Sequence, residues 1–285
     1  SLRDRALGHQ QKTKWWNLSN DEKKKIQGEV LDAAIEGDIT KMKSLIKQYE
    51  GLRLDYCVYN DDHGDTALHL AALHGHLQIV KYLVVNGYRV IECENNYKHT
   101  PLHRAAKGGN LEVVKYLIEE KKCNPMRLCD WGRTPLHYAC ENENASIDLV
   151  QYLMNLEGVN VNVKDTRYGF TPLDIAAAHA PIELVKYMIE EKNCYDPANY
   201  EGSNTPLHHA ALRGNLPVVQ YLVDTRGFDV NSKGWHDRTP LHFACQGGHL
   251  DVVKYLIEES KMEMLEMVAD KNGLTPLDLA AEYGT

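Results

Sequence analysis

The chain has 285 residues, 43% of them hydrophobic and 25% charged, with a formal net charge of −8. No apolar run approaches the roughly 18 residues that cross a bilayer, and the acidic balance argues against a long surface that tracks nucleic-acid phosphates. Phe is scarce while aliphatic residues and Ala are plentiful, which suits thin layers of packed helices better than one wide core.

At the N-terminus, Trp15-Trp16 stand among Lys12, Lys14 and Asn17, either as a pair folded onto the first packed layer or as an arm for a partner. Ser19-Asn20-Asp21-Glu22 then offers a capping box ahead of Ile26 and Val30, so a helix over residues 19–36 can seal that layer. Beyond it, Thr-Pro-Leu or a close variant recurs from Thr66, Thr100, Thr134, Thr171, Thr205, Thr239 and Thr275, at intervals of 34, 34, 37, 34, 34 and 36 residues. A fixed period of this size predicts one supersecondary unit stacked on copies of itself.

The unit at Thr100 shows the local physics. Thr100 is a hydroxyl N-cap, and Pro101 occupies the first helical position, where its missing N–H costs nothing. Leu102, Ala105 and Ala106 share one face, and the small alanines let a neighbouring helix approach closely. Gly108-Gly109 ends this helix; Asn110 can cap the next, whose apolar set is Leu111, Val113, Val114, Leu117 and Ile118. Asn124-Pro125 and Asp130-Trp131-Gly132 are turn formers in a stretch too short for another helix, and predict a protruding hairpin-like loop.

Later units depart from this pattern. The unit at Thr134 carries about two extra residues over 141–147 and about one more near Tyr168, which should put its hairpin out of line. The unit at Thr171 has Asp174 where the box has His, and Ala180-Pro181 where the box units have Gly followed by Asn or His. Met262, Met264 and Met267 crowd the connection after Ser260, as packing filler or as an adaptable contact patch. Thr275 to Gly284 completes one first helix and its Gly, and Thr285 stands where a second helix should begin, so further sequence with additional domains is expected beyond it.

The Thr-Pro-Leu-His box, the Gly-Asn or Gly-His break and the Val-Val-x-Tyr-Leu second helix together closely resemble the ankyrin repeat, across almost the whole chain. The resemblance implies an all-α ankyrin-repeat solenoid of helix-turn-helix units with protruding hairpin-like loops. Residues 1–27 are then an N-terminal arm and the start of a capping helix, and 28–285 the repeat domain, with about seven full repeats and a truncated eighth from about 275. A degenerate first unit aligns at Gly28 through Ala33-Ala34, Gly37-Asp38 and Ile39. His69, His103, His137, His208 and His242 share the box position, where the family places a hydrogen bond to the neighbouring repeat's backbone.

Seven cysteines without a Cys-x-x-Cys pair read as free thiols in a reducing compartment, the cytoplasm with the nucleus also compatible. His63, His74 and His76 do not reproduce a zinc-ligand spacing with Cys, and no phosphate loop or nucleophile elbow is present. The expectation is a non-catalytic protein without a cofactor.

Tyr82, Tyr116, Tyr152, Tyr187, Tyr221 and Tyr255 recur at one second-helix position and read as framework. The informative residues vary just before each Thr. These hairpin tips offer Tyr97, His99, Trp131, Arg133, Arg167, Tyr168, Phe170, Trp235, His236 and Arg238, aromatic and Arg side chains of the kind that anchor interfaces. In the family, the tips and the exposed side of the first helices commonly form the binding face, which adds Leu73, His74, Lys107, Glu141, Asn142, His179, Leu212, Arg213 and Gln246. The sequence therefore predicts a recognition scaffold for a protein or peptide segment, with Trp131, Arg133, Tyr168, Phe170, Trp235 and Arg238 as anchors. The competing expectation is a sensor in which a nucleotide-like ligand stacks between aromatic tips.

Overall fold

The computed structural model describes residues 13–50, 52, 63–86, 91–141, 146–260 and 269–283. Lys12, Cys57, Asn142 with most of the 141–147 insertion, the three methionines after Ser260, Gly284 and Thr285 lie outside the described residues.

Ser19 starts the first helix as its sequence demands. Its backbone N–H donates to Glu22 Oε2 at 2.8 Å, and Glu22 N–H donates back to Ser19 Oγ at 3.3 Å. The resulting helix α1 (Asn20–Glu36) is followed by α2 (Ile39–Gln48). Ahead of α1, Thr13–Lys14 pair in parallel with Tyr49–Glu50, a two-residue bridge that ties the arm to the end of α2.

Each Thr box then opens a short helix followed by a second one. The pairs are α3 (Ala67–Leu73) with α4 (Leu77–Asn86), and α5 (Pro101–Lys107) with α6 (Leu111–Lys115). Next come α7 (Pro135–Ala139) with α8 (Ile147–Met154), and α9 (Pro172–His179) with α10 (Ile182–Glu190). The last pairs are α11 (Pro206–Arg213) with α12 (Leu216–Gln220) and α13 (Pro240–Gly247) with α14 (Leu250–Ser260), and α15 (Pro276–Tyr283) follows alone among the described residues. Helices α6 and α12 run on into widened π turns at Tyr116–Glu120 and Tyr221–Thr225. The fold is all-α, as expected from the period.

The chain divides into two compact units, residues 1–130 and 131–285. Within the first, α3 packs on both α1 and α5; within the second, α11 packs on α9 and α13, and α13 on α15. Ala71, Ala72, Ala105, Ala176, Ala177, Ala210, Ala211 and Ala244 are all buried at these contacts, so the alanine faces do bring first helices close. Leu68, Leu83, Leu102, Leu117, Leu149, Leu173 and Leu184 are fully buried and are among the largest side chains of the apolar filling.

The box histidines act as double clamps. In the boxes at Thr66, Thr100, Thr134, Thr205 and Thr239, the Thr N–H donates to the Nδ1 of the His three residues on, at 3.0–3.2 Å. With Nδ1 accepting, the proton sits on Nε2, which in four of these boxes donates to a carbonyl of the following hairpin. His69 reaches His99 O at 2.9 Å, His137 reaches Phe170 O at 3.3 Å, His208 reaches Ser232 O at 3.0 Å and His242 reaches Leu274 O at 3.3 Å.

The helix breaks work differently from the sequence expectation. Asn110 does not cap α6; its Nδ2 donates to Ala72 O and Leu73 O at 2.9 and 2.7 Å. Asn215 likewise donates to Ala177 O and Ala180 O, and His76 and His249 reach Ile35 O and Leu212 O through Nε2. The unsatisfied carbonyls at the C-terminal end of the preceding first helix are the stronger claim on a side-chain donor. At Ala180-Pro181 the chain simply stays extended, with Ala180 at φ −88° and ψ 162°, so no left-handed residue is needed there.

Candidate functional site

Within each unit the hairpin tips are built from side-chain-capped turns. Asn95 Oδ1 accepts from the N–H groups of Tyr97 and His99 at 3.0 and 2.9 Å, and Asp270 Oδ1 from those of Asn272 and Leu274 at 2.8 and 3.0 Å. Successive tips are stitched by backbone bonds: Asn96 N–H to His63 O, Asp130 N–H to Tyr97 O, Thr166 N–H to Trp131 O and Lys271 N–H to His236 O, at 2.7–3.0 Å.

The extra residue near Tyr168 is absorbed inside one of these turns. Asp165 N–H donates to Phe170 O across five residues, where Asn95 to His99 and Asp270 to Leu274 span four. Asp165 Oδ1 still caps the turn, accepting from Tyr168 N–H at 2.7 Å. Tyr168 is 43% exposed on this longer loop.

In residues 131–285 four of the expected anchors, Trp131, Tyr168, Phe170 and Trp235, come together with Arg167. Arg167 lies over both the Trp131 and Tyr168 rings, each 5.0 Å from its guanidinium carbon. Tyr168 stacks on Phe170 at 5.2 Å, and Phe170 stacks on Trp235 at 5.8 Å while meeting His209 edge-on at 4.3 Å. Five residues from three tips therefore make one continuous ring-and-guanidinium surface.

Behind it is a cavity of about 180 Å³. Its floor is one face of α9, where Asp174, Ile175, Ala178 and His179 fall at helical spacing, beside His209 and Arg213 one turn apart on α11. Arg133, Glu141, Tyr168 and Phe170 close the other side. A more open groove of about 510 Å³ continues from Ala178, His179 and Arg213 to Leu212, Gly247 and His249.

The electrostatics of this cavity come from burial. The His209 imidazole is held down to about 3, chiefly by desolvation and then by neighbouring His208. It is neutral at pH 7, and its Nε2 has no hydrogen-bond partner. Burial likewise pushes the Asp174 carboxyl up to about 7, against the Thr171 N–H and Oγ–H that donate to Oδ2 at 2.8 Å each. Asp174 thus keeps with Thr171 the box bond that His makes in five boxes and Asp278 makes at Thr275, and buried Tyr200 brings its hydroxyl to 3.3 Å from Thr171 Oγ1.

The family described as Ankyrin repeats (3 copies) matches residues 30–128, 121–200, 146–234, 183–264 and 207–285, a nearly unbroken span. The chain belongs to the ankyrin-repeat family. Comparison with curated proteins finds no match. Ankyrin repeats are in general protein–protein interaction modules and in general non-catalytic, which supports a scaffold role.

Within this ankyrin-repeat protein, the predicted tip residues fall into two groups. Trp131, Arg167, Tyr168, Phe170 and Trp235 form the shared surface, with Arg213 exposed at the cavity mouth and His236 exposed beside Trp235 on the same tip. Arg133 and Arg238 are each held by a carboxylate of the next tip. Arg133 is buried, with Nε 3.0 Å from Asp165 Oδ2 and Nη1 3.3 Å from Glu141. Arg238 repeats the clamp on Asp270 at 2.8 Å and Gln246 at 3.2 Å. His99 is buried too, and burial and the Arg104 charge hold it down to about 3; Tyr97 beside it is half-buried and edge-on to His63 at 5.2 Å.

Asp165, Asp174 and His209 were not among the residues the sequence singled out as a site. A signal for His209 existed: the residue after the box His is Leu70, Arg104, Tyr138 and Phe243 in other full copies, so a second histidine there was anomalous. No helix among the described residues is long and apolar enough to cross a membrane.

Proposed function

We propose that the chain is a non-catalytic recognition scaffold that binds a segment of a partner protein on the tip surface of residues 131–285 and the inner groove beside it. The carrying observation is the joined surface of Trp131, Arg167, Tyr168, Phe170 and Trp235, drawn from three tips that the sequence separates by up to about a hundred residues. Aromatic side chains bury large area with few rotatable bonds and Arg adds a planar multi-donor guanidinium, and both are enriched among the residues that dominate interface energetics. A repeat framework holds them in place before binding, so the partner segment bears most of the ordering cost. Free thiols among the described cysteines fit a reducing compartment, the cytoplasm or the nucleus.

The test is a partner-capture comparison between the wild-type chain and Trp131→Ala/Trp235→Ala, with unchanged thermal melting as the folding control. Loss of wild-type partners, by tenfold or more in affinity as expected for two anchors of about 1.4 kcal/mol or more together, supports the assignment. Retention of every partner at wild-type affinity rules out the tip surface. Calorimetry with nucleotides separates the small-ligand sensor: micromolar binding would favour it.

A further inference from the structure

The cavity under the tips contains a built but unmatched polar group. His209 is 6% exposed, its Nε2 finds no hydrogen-bond partner, and it lines the cavity floor. A buried polar atom left unsatisfied costs free energy, so it is kept where something else supplies the bond. Its Phe170 neighbour forms an aromatic wall edge-on to the imidazole, and Ile175 and Ala178 add apolar surface.

Several occupants are disfavoured by the groups around it. A cation would enter beside the Arg133 guanidinium and pass Arg213, while Glu141 is engaged by Arg133 and Asp174 Oδ2 by Thr171, which leaves Asp174 Oδ1 to accept from a donor such as a hydroxyl. A carboxylate deep in the cavity would face Glu141 and Asp174. A neutral ring meets neither objection. The volume of about 180 Å³ is close to the roughly 150 Å³ of an apolar cavity that accommodates benzene. A phenol adds the missing bond whichever proton state Nε2 holds, because a hydroxyl both donates and accepts. At the mouth, Arg213 is exposed and pairs with no carboxylate among the described residues.

We infer that this cavity is a receptor for a tyrosine side chain of the partner segment, its hydroxyl on His209 Nε2, with an adjacent acidic residue on Arg213. This deepens the recognition role proposed above and rests on it. The phenol ring packs on Phe170 and over Ala178, and the chain leaves through the groove that Arg213 shares with His249.

The experiment follows the His209 ring nitrogens by NMR in the full chain, titrating p-cresol, toluene, ethylguanidinium, adenosine and the amides of N-acetyl-Asp-Tyr and N-acetyl-Asn-Tyr. The expected result is a shift of the His209 Nε2 resonance with p-cresol that is absent in Ala178→Leu, which fills the cavity from a partly exposed position. The Asp-Tyr amide should bind about two- to fivefold more tightly than Asn-Tyr, the worth of a partly exposed ion pair, and Arg213→Gln should erase that difference. No perturbation of His209 by either phenol or dipeptide overturns the assignment. So does toluene binding as well as p-cresol, tighter binding of ethylguanidinium or adenosine, or persistence of the cresol shift in Ala178→Leu. If Ala178→Leu and Arg213→Gln leave a captured partner bound while Trp131→Ala/Trp235→Ala releases it, the tyrosine site fails and tip recognition stands. If the phenol binds but the tryptophan variant changes no partner, recognition at the tips fails instead.

Discussion

Histidine at the box is useful only while neutral, because Nδ1 must accept from Thr and Nε2–H must donate to the next hairpin. Burial pushes His137 and His208 down to about 4, the largest cause in both, from an unfolded value near 6.5. A lowered folded pKa means stability that is present above pH 6.5 and is lost as pH falls toward 4. Each contributes on the order of 3 kcal/mol across that window. Asp174 works in the opposite sense: its carboxyl, raised to about 7, costs stability above pH 7 and relaxes on acidification. Several histidines outweigh one aspartate, so the urea midpoint should fall steadily between pH 6.5 and 4; a flat profile would contradict the neutral-clamp account. Asp174→Asn should raise the midpoint at pH 8 and lose that advantage by about pH 4, where the native carboxyl is also protonated. Arg104 gives a second residue-scale prediction. Its guanidinium sits 2.6 and 3.0 Å from the two oxygens of Asp65, both side chains being at most 5% exposed. Arg104→Met strands a buried carboxylate and should cost about 3–5 kcal/mol at pH 7, whereas Arg104→Met with Asp65→Leu should recover most of it.

At the scale of the element, six of the seven hairpins place a left-handed residue two positions before the Thr, supplied by Gly64, Gly132, Gly169 and Gly273 and by Lys98 and Asp237, while before Thr205 it is Gly202, one position earlier. Gly132 is the most constrained: φ is +70°, and a Cβ there would lie 2.8 Å from Thr166 N and 2.6 Å from Thr166 Cγ2. That nitrogen bonds Trp131 O, so Gly132→Ala strikes the stitch between two tips. Chemical denaturation should show a loss of about 2 kcal/mol or more, from left-handed strain together with the contact. The Trp131 ring signals of this variant should shift if the tip moves, and an unaltered tip would mean that Thr166 yields instead. The second helices carry the tyrosine framework that the recurrence implied: Lys81 lies over the Tyr116 ring and Lys186 over Tyr221, while Tyr221 and Tyr255 donate to Glu190 and Asp224 of the preceding unit.

At the scale of the whole molecule, burial pushes the thiols of Cys123 and Cys194 up to about 12 and that of Cys245 to about 11. Few thiolates are then present at pH 8, and a disulfide-exchange reagent should react slowly with most of the seven cysteines in the native chain but promptly with all seven in urea. Rapid native labelling of five or more would contradict that burial. The repeat frame, the helix pairs, the Ser19 box and the histidine clamps were legible in the sequence, because each depends on residues within one period or on a bond recurring with it. Asn110 was misread since its best acceptors, Ala72 O and Leu73 O, are nearly forty residues away and become neighbours only when helices stack. Arg133 and Phe170 are both prominent tip residues in the sequence, yet Arg133 is consumed by Asp165 and Glu141 while Phe170 remains at the cavity wall. What the sequence determined by itself was the period and therefore the fold, a matter of local capping and helical spacing. Which side chains are free to meet a partner was decided only by tertiary structure, because burial and pairing depend on the neighbour one repeat away.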